Sequence, residues 1–219
     1  MTSTALIDYD AEFAKIAGEL QTSLASVGGS YIGTKGKCFT FPSGHVEPTL
    51  NCIVLDFIPL NQLMTPYNPN VRGITRCWAI GRDASNLVPS NDSPQRQADS
   101  CATCTSNQYG SATNGGRGKA CANTYRLAIT PADATESSDI WLLKVSPTGQ
   151  RQWNDYKKLM DAKYGPGGFC RGVTKISFDP NREYPSLMFA DAGEVTNKAV
   201  IFPLRQRAID VILTPPPGE

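Results

Sequence analysis

The sequence of 219 residues contains a single histidine, His45, and no apolar run of about 20 residues. One imidazole excludes every site that needs two, such as the HExxH zinc site of metalloproteases. Without a long apolar run, the sequence offers no candidate for a membrane-spanning helix. The first residues, MTSTALIDYDAEF, carry acids where a secretory signal has a basic start and then an apolar segment. We therefore expect a soluble, intracellular protein without a membrane partner.

Net charge is also small, at +1 from 21 basic and 20 acidic side chains. The hydrophobic share of 40% is nevertheless too high for a disordered chain, and the length suffices for one large domain. The charges are unevenly distributed. Residues 71–130 hold seven basic and three acidic side chains, a net +4, which leaves 14 basic and 17 acidic side chains, a net −3, for the remainder. A polyanionic partner is expected to contact the positive segment.

Seven cysteines are present, and their odd number without a secretory signal argues against a disulfide framework. Cys101 and Cys104 form a CxxC pair, a spacing that lets two thiolates bind one tetrahedral ion. Cys77 and Cys121 flank this pair, on either side of a long Ser-, Asn- and Gly-rich segment that is too polar to fold by apolar burial alone. We predict a structural zinc ion bound by these four cysteines, whose binding would order that segment. A redox CxxC is the alternative, but no strand-then-helix pattern surrounds the pair.

The other three cysteines lie in apolar or β-rich runs and are predicted to be buried. They are Cys38, Cys52 and Cys170.

Hydrophobic periodicity predicts a mainly β chain with two helices. A helix is expected over residues 5–26, and a second over residues 146–165 with Trp153, Tyr156, Leu159 and Met160 on its inner face. Strands are expected over residues 30–44, 50–60, 73–83, 124–130, 139–146, 171–180 and 186–193, the last two as a hairpin, with a final strand or edge over residues 198–209.

One helix that interrupts a series of six or more strands favours a small barrel, of which the OB-fold is the commonest, over a two-sheet sandwich. We predict a mainly β, OB-fold-like barrel with an N-terminal helix, one internal helix and a zinc-stabilised cysteine-rich insertion. The expected domains are an N-terminal helix at 1–29, an OB-like DNA-binding domain at 30–213 with the insertion at about 77–121, and a tail at 214–219.

Basic residues alternate with aromatic residues in and around the positive segment. Single-stranded nucleic acid is bound in this way, by cations along the phosphates and flat rings against the bases, although an aromatic residue in a strand can equally be a core residue. The glycine-rich stretch GSATNGGRGKAC does not match a nucleotide-binding P-loop, because Ala120 follows Lys119, and a loop that closes over a nucleic-acid backbone suits it better. The predicted DNA-binding residues are Lys35, Lys37, Tyr67, Arg72, Arg76, Trp78, Arg117, Lys119, Tyr125 and Arg126.

The cysteine-rich region also resembles a known family, the zinc-containing single-stranded-DNA-binding proteins of tailed bacteriophages. The resemblance covers roughly residues 70–190 and is most specific at residues 93–121. It implies an OB-like barrel with a zinc-binding elaboration that coats single strands during phage replication or recombination, in the host cytoplasm and with replication or recombination proteins as partners. The matching residues are Ser93, Pro94, Gln95, Cys101, Cys104, Asn107, Tyr109, Gly110, Ser111, Gly118, Lys119, Ala120, Cys121 and Arg126.

We accordingly expect a non-enzymatic binding protein, whose oligomeric state the sequence leaves open. One alternative is a metal-dependent nuclease or other DNA-processing enzyme with Asp56, Asp83, Asp179 and Glu183 as metal ligands, although their spacing is not diagnostic. A second alternative is a zinc-stabilised protein-interaction module without affinity for DNA.

Overall fold

The structure is a computed structural model that describes residues 30–66, 73–113 and 115–216. The predicted helix at 5–26 and the predicted DNA-binding residues Tyr67 and Arg72 lie outside the described residues. The described part is mainly β, with an antiparallel sheet and two α-helices. The strands are β1 (Phe39–Thr40), β2 (Val46–Glu47), β3 (Leu50–Met64), β4 (Thr75–Ile80), β5 (Cys121–Pro131), β6 (Trp141–Val145), β7 (Gly172–Phe178) and β8 (Leu187–Glu194), and the helices are α1 (Gln150–Tyr164) and α2 (Ile201–Ile212).

Strand β3 is the centre of the main sheet. On one side it pairs with β5 from Cys52 to Leu63. On the other side it pairs with β7 near its start and with β4 from Leu60 to Met64. The hydrogen-bonded order is β6-β5-β3-β7-β8, with β4 as an additional partner of β3 and with β1 and β2 forming a separate pair. The sheet that the described residues form is therefore open and is not a closed barrel.

Both faces of the sheet are covered by a helix, which explains the nearly continuous apolar run of β3. On the α1 face, Val54 and Leu127 pack with Trp153 of α1. On the α2 face, Ile53 and Leu55 pack with residues of α2. The side chains of a strand alternate between these two faces, so the register decides which functional side chains share a face.

Helix α1 confirms the predicted helix, after a 3-10 turn at Pro147–Gly149. Trp153, Tyr156 and Met160 are buried as expected, but Leu159 is 55% exposed. Tyr156 and Met160 are four residues apart and share the inner face of α1. Leu159 comes one residue before Met160 and therefore points to solvent.

Helix α2 replaces the strand or edge predicted over residues 198–209, and that prediction was wrong. The buried positions Ile201, Leu204, Ala208 and Ile212 follow the helical period. Pro203 lies in the first turn, where its missing N–H is not needed for an intrahelical bond.

The strand predicted over residues 30–44 is mostly absent. Tyr31 and Gly33 form only isolated bridges, and a 3-10 turn covers Lys35–Lys37. Gly36 and Lys37 both have positive φ, which interrupts extended backbone. Within the described residues, no helix combines the length and the apolar character needed to cross a bilayer.

Candidate metal centre and nucleic-acid interface

Two of the predicted zinc ligands are brought together by strand register. Cys77 of β4 and Cys121, the first residue of β5, both lie directly opposite Leu63 of β3, one on each side of it. Residues directly opposite each other in an antiparallel sheet point to the same face. The two thiols and Leu63 accordingly form one buried cluster at the end of the sheet.

The other two predicted ligands lie in the segment that joins β4 to β5, residues 81–120, which we call the cysteine lobe. The backbone around this CxxC is held by local hydrogen bonds. The Cys101 N–H donates to Leu87 O (3.0 Å), and the Asn107 side-chain amide donates to Cys101 O (2.7 Å). The Asn107 N–H in turn donates to Cys104 O (3.0 Å).

All four cysteines line one small cavity of about 10 Å³ at the base of the lobe. Each is a free cysteine and at most 9% exposed. A cavity of this volume holds about one water-sized particle. Among the described residues, however, no three His, Cys, Asp or Glu side chains are arranged so that they could hold a metal ion as they stand. Zinc binding at Cys77, Cys101, Cys104 and Cys121 therefore remains a prediction.

Burial sets the protonation of the cavity thiols. Burial, together with the neighbouring thiols of Cys101, Cys104 and Cys77, raises the pKa of Cys121 to about 12, although the charge of Lys119 acts in the opposite direction. Burial also raises the pKa of Cys101, although a hydrogen bond with Asn61 acts in the opposite direction. Several thiolates together are thus unfavourable in this cavity unless a cation compensates their charge.

Polar contacts replace apolar packing on the cavity's outer side. The side-chain amide of Asn123 donates to Asn61 Oδ1 (2.5 Å) and to Asn107 Oδ1 (2.9 Å), which links β5, β3 and the lobe. Lys119 Nζ lies 3.4 Å from the same Asn107 oxygen. This network holds the basic end of the lobe against the sheet.

The glycine-rich part of the lobe forms a hydrogen-bonded loop with an aromatic residue on its surface. The N–H groups of Gly110 and Ala112 both donate to Gly118 O, at 2.9 and 3.2 Å. Tyr109 is 83% exposed, and Lys119 Nζ lies 5.0 Å from the centroid of its ring. Tyr109 was not among the predicted DNA-binding residues. The signal for it was available, because an aromatic residue in a segment of Ser, Asn and Gly has no core to enter.

Arg76 and Trp78 lie on β4, and the lobe returns along the free edge of that strand. The Ser90 N–H donates to Trp78 O (2.8 Å), and the Gln95 N–H donates to Arg76 O (2.7 Å). Arg76 Nε also donates to Gln95 Oε1 (2.7 Å). Arg76 and Trp78 are both half-buried and alternate with the buried Cys77, which directs their side chains to the other face of β4 from the Cys77 thiol.

Arg126 is not at the surface, contrary to its assignment as a phosphate contact. It is fully buried on the α2 face, and its Nη1 donates to the carbonyls of Ile212 (2.8 Å) and Thr214 (2.5 Å) at the end of α2. Its guanidinium lies 5.2 Å from the ring centroid of Tyr31. A cation at a helix C-terminus is stabilised by the unpaired carbonyls there. Both faces of β5 are covered, so an arginine in the middle of this strand is buried whichever face it occupies.

The remaining predicted contacts lie in different places. Tyr125 is half-buried and packs edge-on against Phe57 in the α1-face core, with ring centroids 5.8 Å apart. Arg117 is exposed on the lobe. Lys35 and Lys37 precede β1, and Lys37 Nζ donates to the carbonyl of Arg182 in the β7–β8 turn. Since β7 pairs with the start of β3, these lysines lie near the opposite end of β3 from the cavity, roughly 40 Å away along the strand.

The carboxylates of the nuclease alternative are used in separate local structures. Asp56 is buried and accepts from Arg82 Nη1 at 2.7 Å. Asp83 caps the turn that follows, by accepting from the Ser85 N–H (2.9 Å). Asp179 accepts from the Asn181 N–H (2.9 Å) within the β7–β8 turn, which also carries the exposed Glu183.

The remaining cysteines differ in burial. Cys52 is fully buried, as predicted, whereas Cys38 and Cys170 are half-buried. Comparison with known proteins finds no family model, no curated protein and no solved structure that matches this chain.

Proposed function

We propose that this protein binds single-stranded DNA, largely independently of sequence, through the surface of a zinc-ordered cysteine lobe. One observation supports this more than any other. The four cysteines singled out from the sequence come from β4, the lobe and β5, yet they line a single small cavity, and Asn107 in its wall contacts Lys119 of an exposed aromatic and basic loop.

Zinc would have a structural role in the lobe. Cys77, Cys101, Cys104 and Cys121 would hold it, and the ion would supply the positive charge that several buried thiolates require. Four thiolate ligands leave no open coordination position, so the ion would order the lobe without taking part in a reaction.

The DNA-facing groups would be those that the lobe presents to solvent. Arg117 and Lys119 would contact phosphates, and Tyr109 would stack on a base. Trp78 and Arg76, half-buried on the other face of β4, would make a separate contact with the DNA strand. Stacking and phosphate contacts are common to all bases, which accounts for a lack of sequence preference.

The OB-like assignment belongs to this proposal. Strand β3 supports this assignment. It is long, its register against β5 is irregular between Val54 and Asp56, and its other edge pairs with β7 at one end and with β4 at the other. A strongly curved strand of a barrel has these features. With that assignment we propose a non-enzymatic role in phage DNA replication or recombination, in the host cytoplasm and alongside other phage replication proteins.

The proposal is tested by titrating the protein with fluorescent oligo-dT at several salt concentrations. We expect affinity to fall as salt rises, because cations displaced from the phosphates are released on binding. Lys119→Gln is expected to reduce the slope of log affinity against log salt by about 0.7, the value for one phosphate contact on a single strand. Lys158→Gln, an exposed lysine of α1, is the matched control and should leave the slope unchanged.

The outcome of the same titration separates the alternatives. Salt-independent affinity, or no affinity at low salt, would contradict DNA binding. Degradation of the oligonucleotide in the presence of magnesium would favour the nuclease. One zinc per chain without any DNA affinity would favour a protein-interaction module.

A further inference from the structure

A second site candidate lies about halfway along the sheet, away from the cysteine lobe. A cavity of about 540 Å³ opens between the Pro166–Arg171 segment and the start of α2. This volume is typical of small-molecule pockets. Its walls combine the aromatic rings of Phe169 and Phe202 with three cations, Arg171, Lys198 and Arg205.

The charge of this pocket is one-sided, since no acidic side chain of the described part of the chain lines it. Lys198 is partly neutralised by an ion pair with Glu194, outside the pocket. Arg171 donates from one nitrogen to Tyr164 O (2.9 Å), which leaves its other N–H groups available. Arg205 has no hydrogen bond or ion pair among the described residues, so it is the cation best placed to bind an anion.

The aromatic lining supplies a different kind of contact. Phe202 is 79% exposed although it lies on a helix whose other apolar residues are largely buried. Phe169 is half-buried and fixed by edge-on contacts with Phe57 (centroids 5.5 Å apart) and Trp153 (6.1 Å). One rigid ring and one accessible ring beside a guanidinium suit a ligand that is flat at one end and anionic at the other.

The wall that carries Phe169 and Arg171 is preorganised. The Gly168 N–H donates to Asp161 Oδ1 (3.0 Å), and the Val195 N–H donates to Arg171 O (2.9 Å). Gly168 lies so close to α1 that an added Cβ would be 2.0 Å from Met160 O, so the turn cannot move inward. A preformed wall lowers the conformational cost of binding.

We infer that this pocket binds a nucleoside phosphate unit, with Arg205 and Arg171 at the phosphate and the base between Phe202 and Phe169. The unit could be a free nucleotide or one nucleotide of a strand, since both present the same chemistry. The inference does not require the cysteine lobe to bind DNA.

The test uses the full chain and thymidine 5′-monophosphate, with thymidine and inorganic phosphate as partial ligands. We expect saturable binding of the monophosphate that is tighter than that of either part. Arg205→Gln and Phe202→Ala should each weaken it by about tenfold. Arg151→Gln, an exposed arginine of α1 that does not line the pocket, is the control and should bind like the wild type.

A second arm identifies the source of the nucleotide. If Arg205→Gln also weakens oligo-dT binding and the monophosphate competes with the oligonucleotide, the pocket takes a nucleotide of a strand. If only monophosphate binding falls, it takes a free nucleotide, and this result supports the inference even where the lobe fails to bind DNA. Absence of saturable monophosphate binding, indifference of that binding to Arg205→Gln, or preference for a peptide of alternating Asp and Phe would overturn it.

Discussion

The sheet centre and the cysteine lobe are neighbours in this protein but are held together in different ways. At the centre, β3 is buried between two helices, and Trp153 alone lies within about 6 Å of four other aromatic rings. In the described residues of the lobe, the apolar clusters around the cysteines are small and are joined by hydrogen bonds from Asn, Gln and Ser side chains. Apolar burial stabilises the first region without help, whereas the second has too little apolar surface to fold in that way. The proposed zinc ion at the four thiols would supply the stabilisation that apolar burial does not supply in the lobe.

The comparison is tested most strongly at the sheet centre. Met160→Ala should lower the free energy of unfolding by about 2–5 kcal/mol and Trp153→Ala by about 3–5 kcal/mol, because both side chains are fully buried. Leu159→Ala changes an exposed neighbour on the same helix and should stay within about 0.5 kcal/mol of the wild type. Urea unfolding measures all three. Equal losses for Met160 and Leu159 would show that α1 does not pack as described.

In the lobe, the expected effect is local. Cys104→Ser should reduce zinc content from about one ion per chain to almost none, because three thiolates do not complete a structural site. Amide exchange should then accelerate in the lobe, at Asn107 for example, while the β3–β5 amides remain protected.

Cys38→Ser is the matched control, because Cys38 does not line the cavity. It should leave both zinc content and lobe exchange unchanged. Wild-type protein that contains no zinc, or a Cys104 variant that retains it, would contradict the proposed centre.

A smaller effect is expected where α1 meets β8. Burial acts to raise the pKa of Asp191, but hydrogen bonds from Lys163, the Gly193 N–H and Tyr164 outweigh it and lower the pKa below its usual value. The resulting stabilisation is present at neutral pH and is lost as the pH falls through the lowered pKa. Between about pH 6 and about pH 3, the wild type should therefore lose up to about 1 kcal/mol more than Asp191→Asn, measured by urea unfolding. Identical pH profiles for the wild type and Asp191→Asn would contradict the lowered pKa of Asp191.

The smallest effect on stability is expected at Tyr109. Tyr109→Ala should change the free energy of unfolding by less than about 0.5 kcal/mol, since the ring is largely exposed. It should nevertheless weaken oligo-dT binding by about tenfold if the ring stacks on a base. Fluorescence titration with the two proteins measures this, and unchanged affinity would exclude Tyr109 from the interface.

Sequence reasoning performed well where one periodicity was strong. The apolar run of β3, the β7–β8 hairpin and the inner face of α1 were predicted, with Leu159 the exception, because burial follows directly from their patterns. The strand assignment for α2 was wrong because residues 199–202 are four consecutive apolar residues, a pattern that is typical of a buried strand. The helical period becomes visible only when the later buried residues Ala208 and Ile212 are included.

The candidate site was predictable to a different degree. The CxxC pair was found because its spacing is local, and the approach of Cys77 to Cys121 needed only the β3–β4 and β3–β5 pairings. The location of a cation was not predictable in this way. Arg126 and Lys119 look alike in a sequence, but one lies beneath α2 and the other on a loop, and only long-range packing distinguishes them.

The hydrogen bonds from residues 90–95 to β4 have a consequence for solubility. By occupying the edge of β4, they cover backbone groups that could otherwise recruit a strand from another molecule. Loss of order in the lobe would therefore expose the unpaired backbone edge of β4 on an otherwise intact sheet. We expect the first sign of a damaged lobe to be self-association of folded molecules, before any loss of the fold itself.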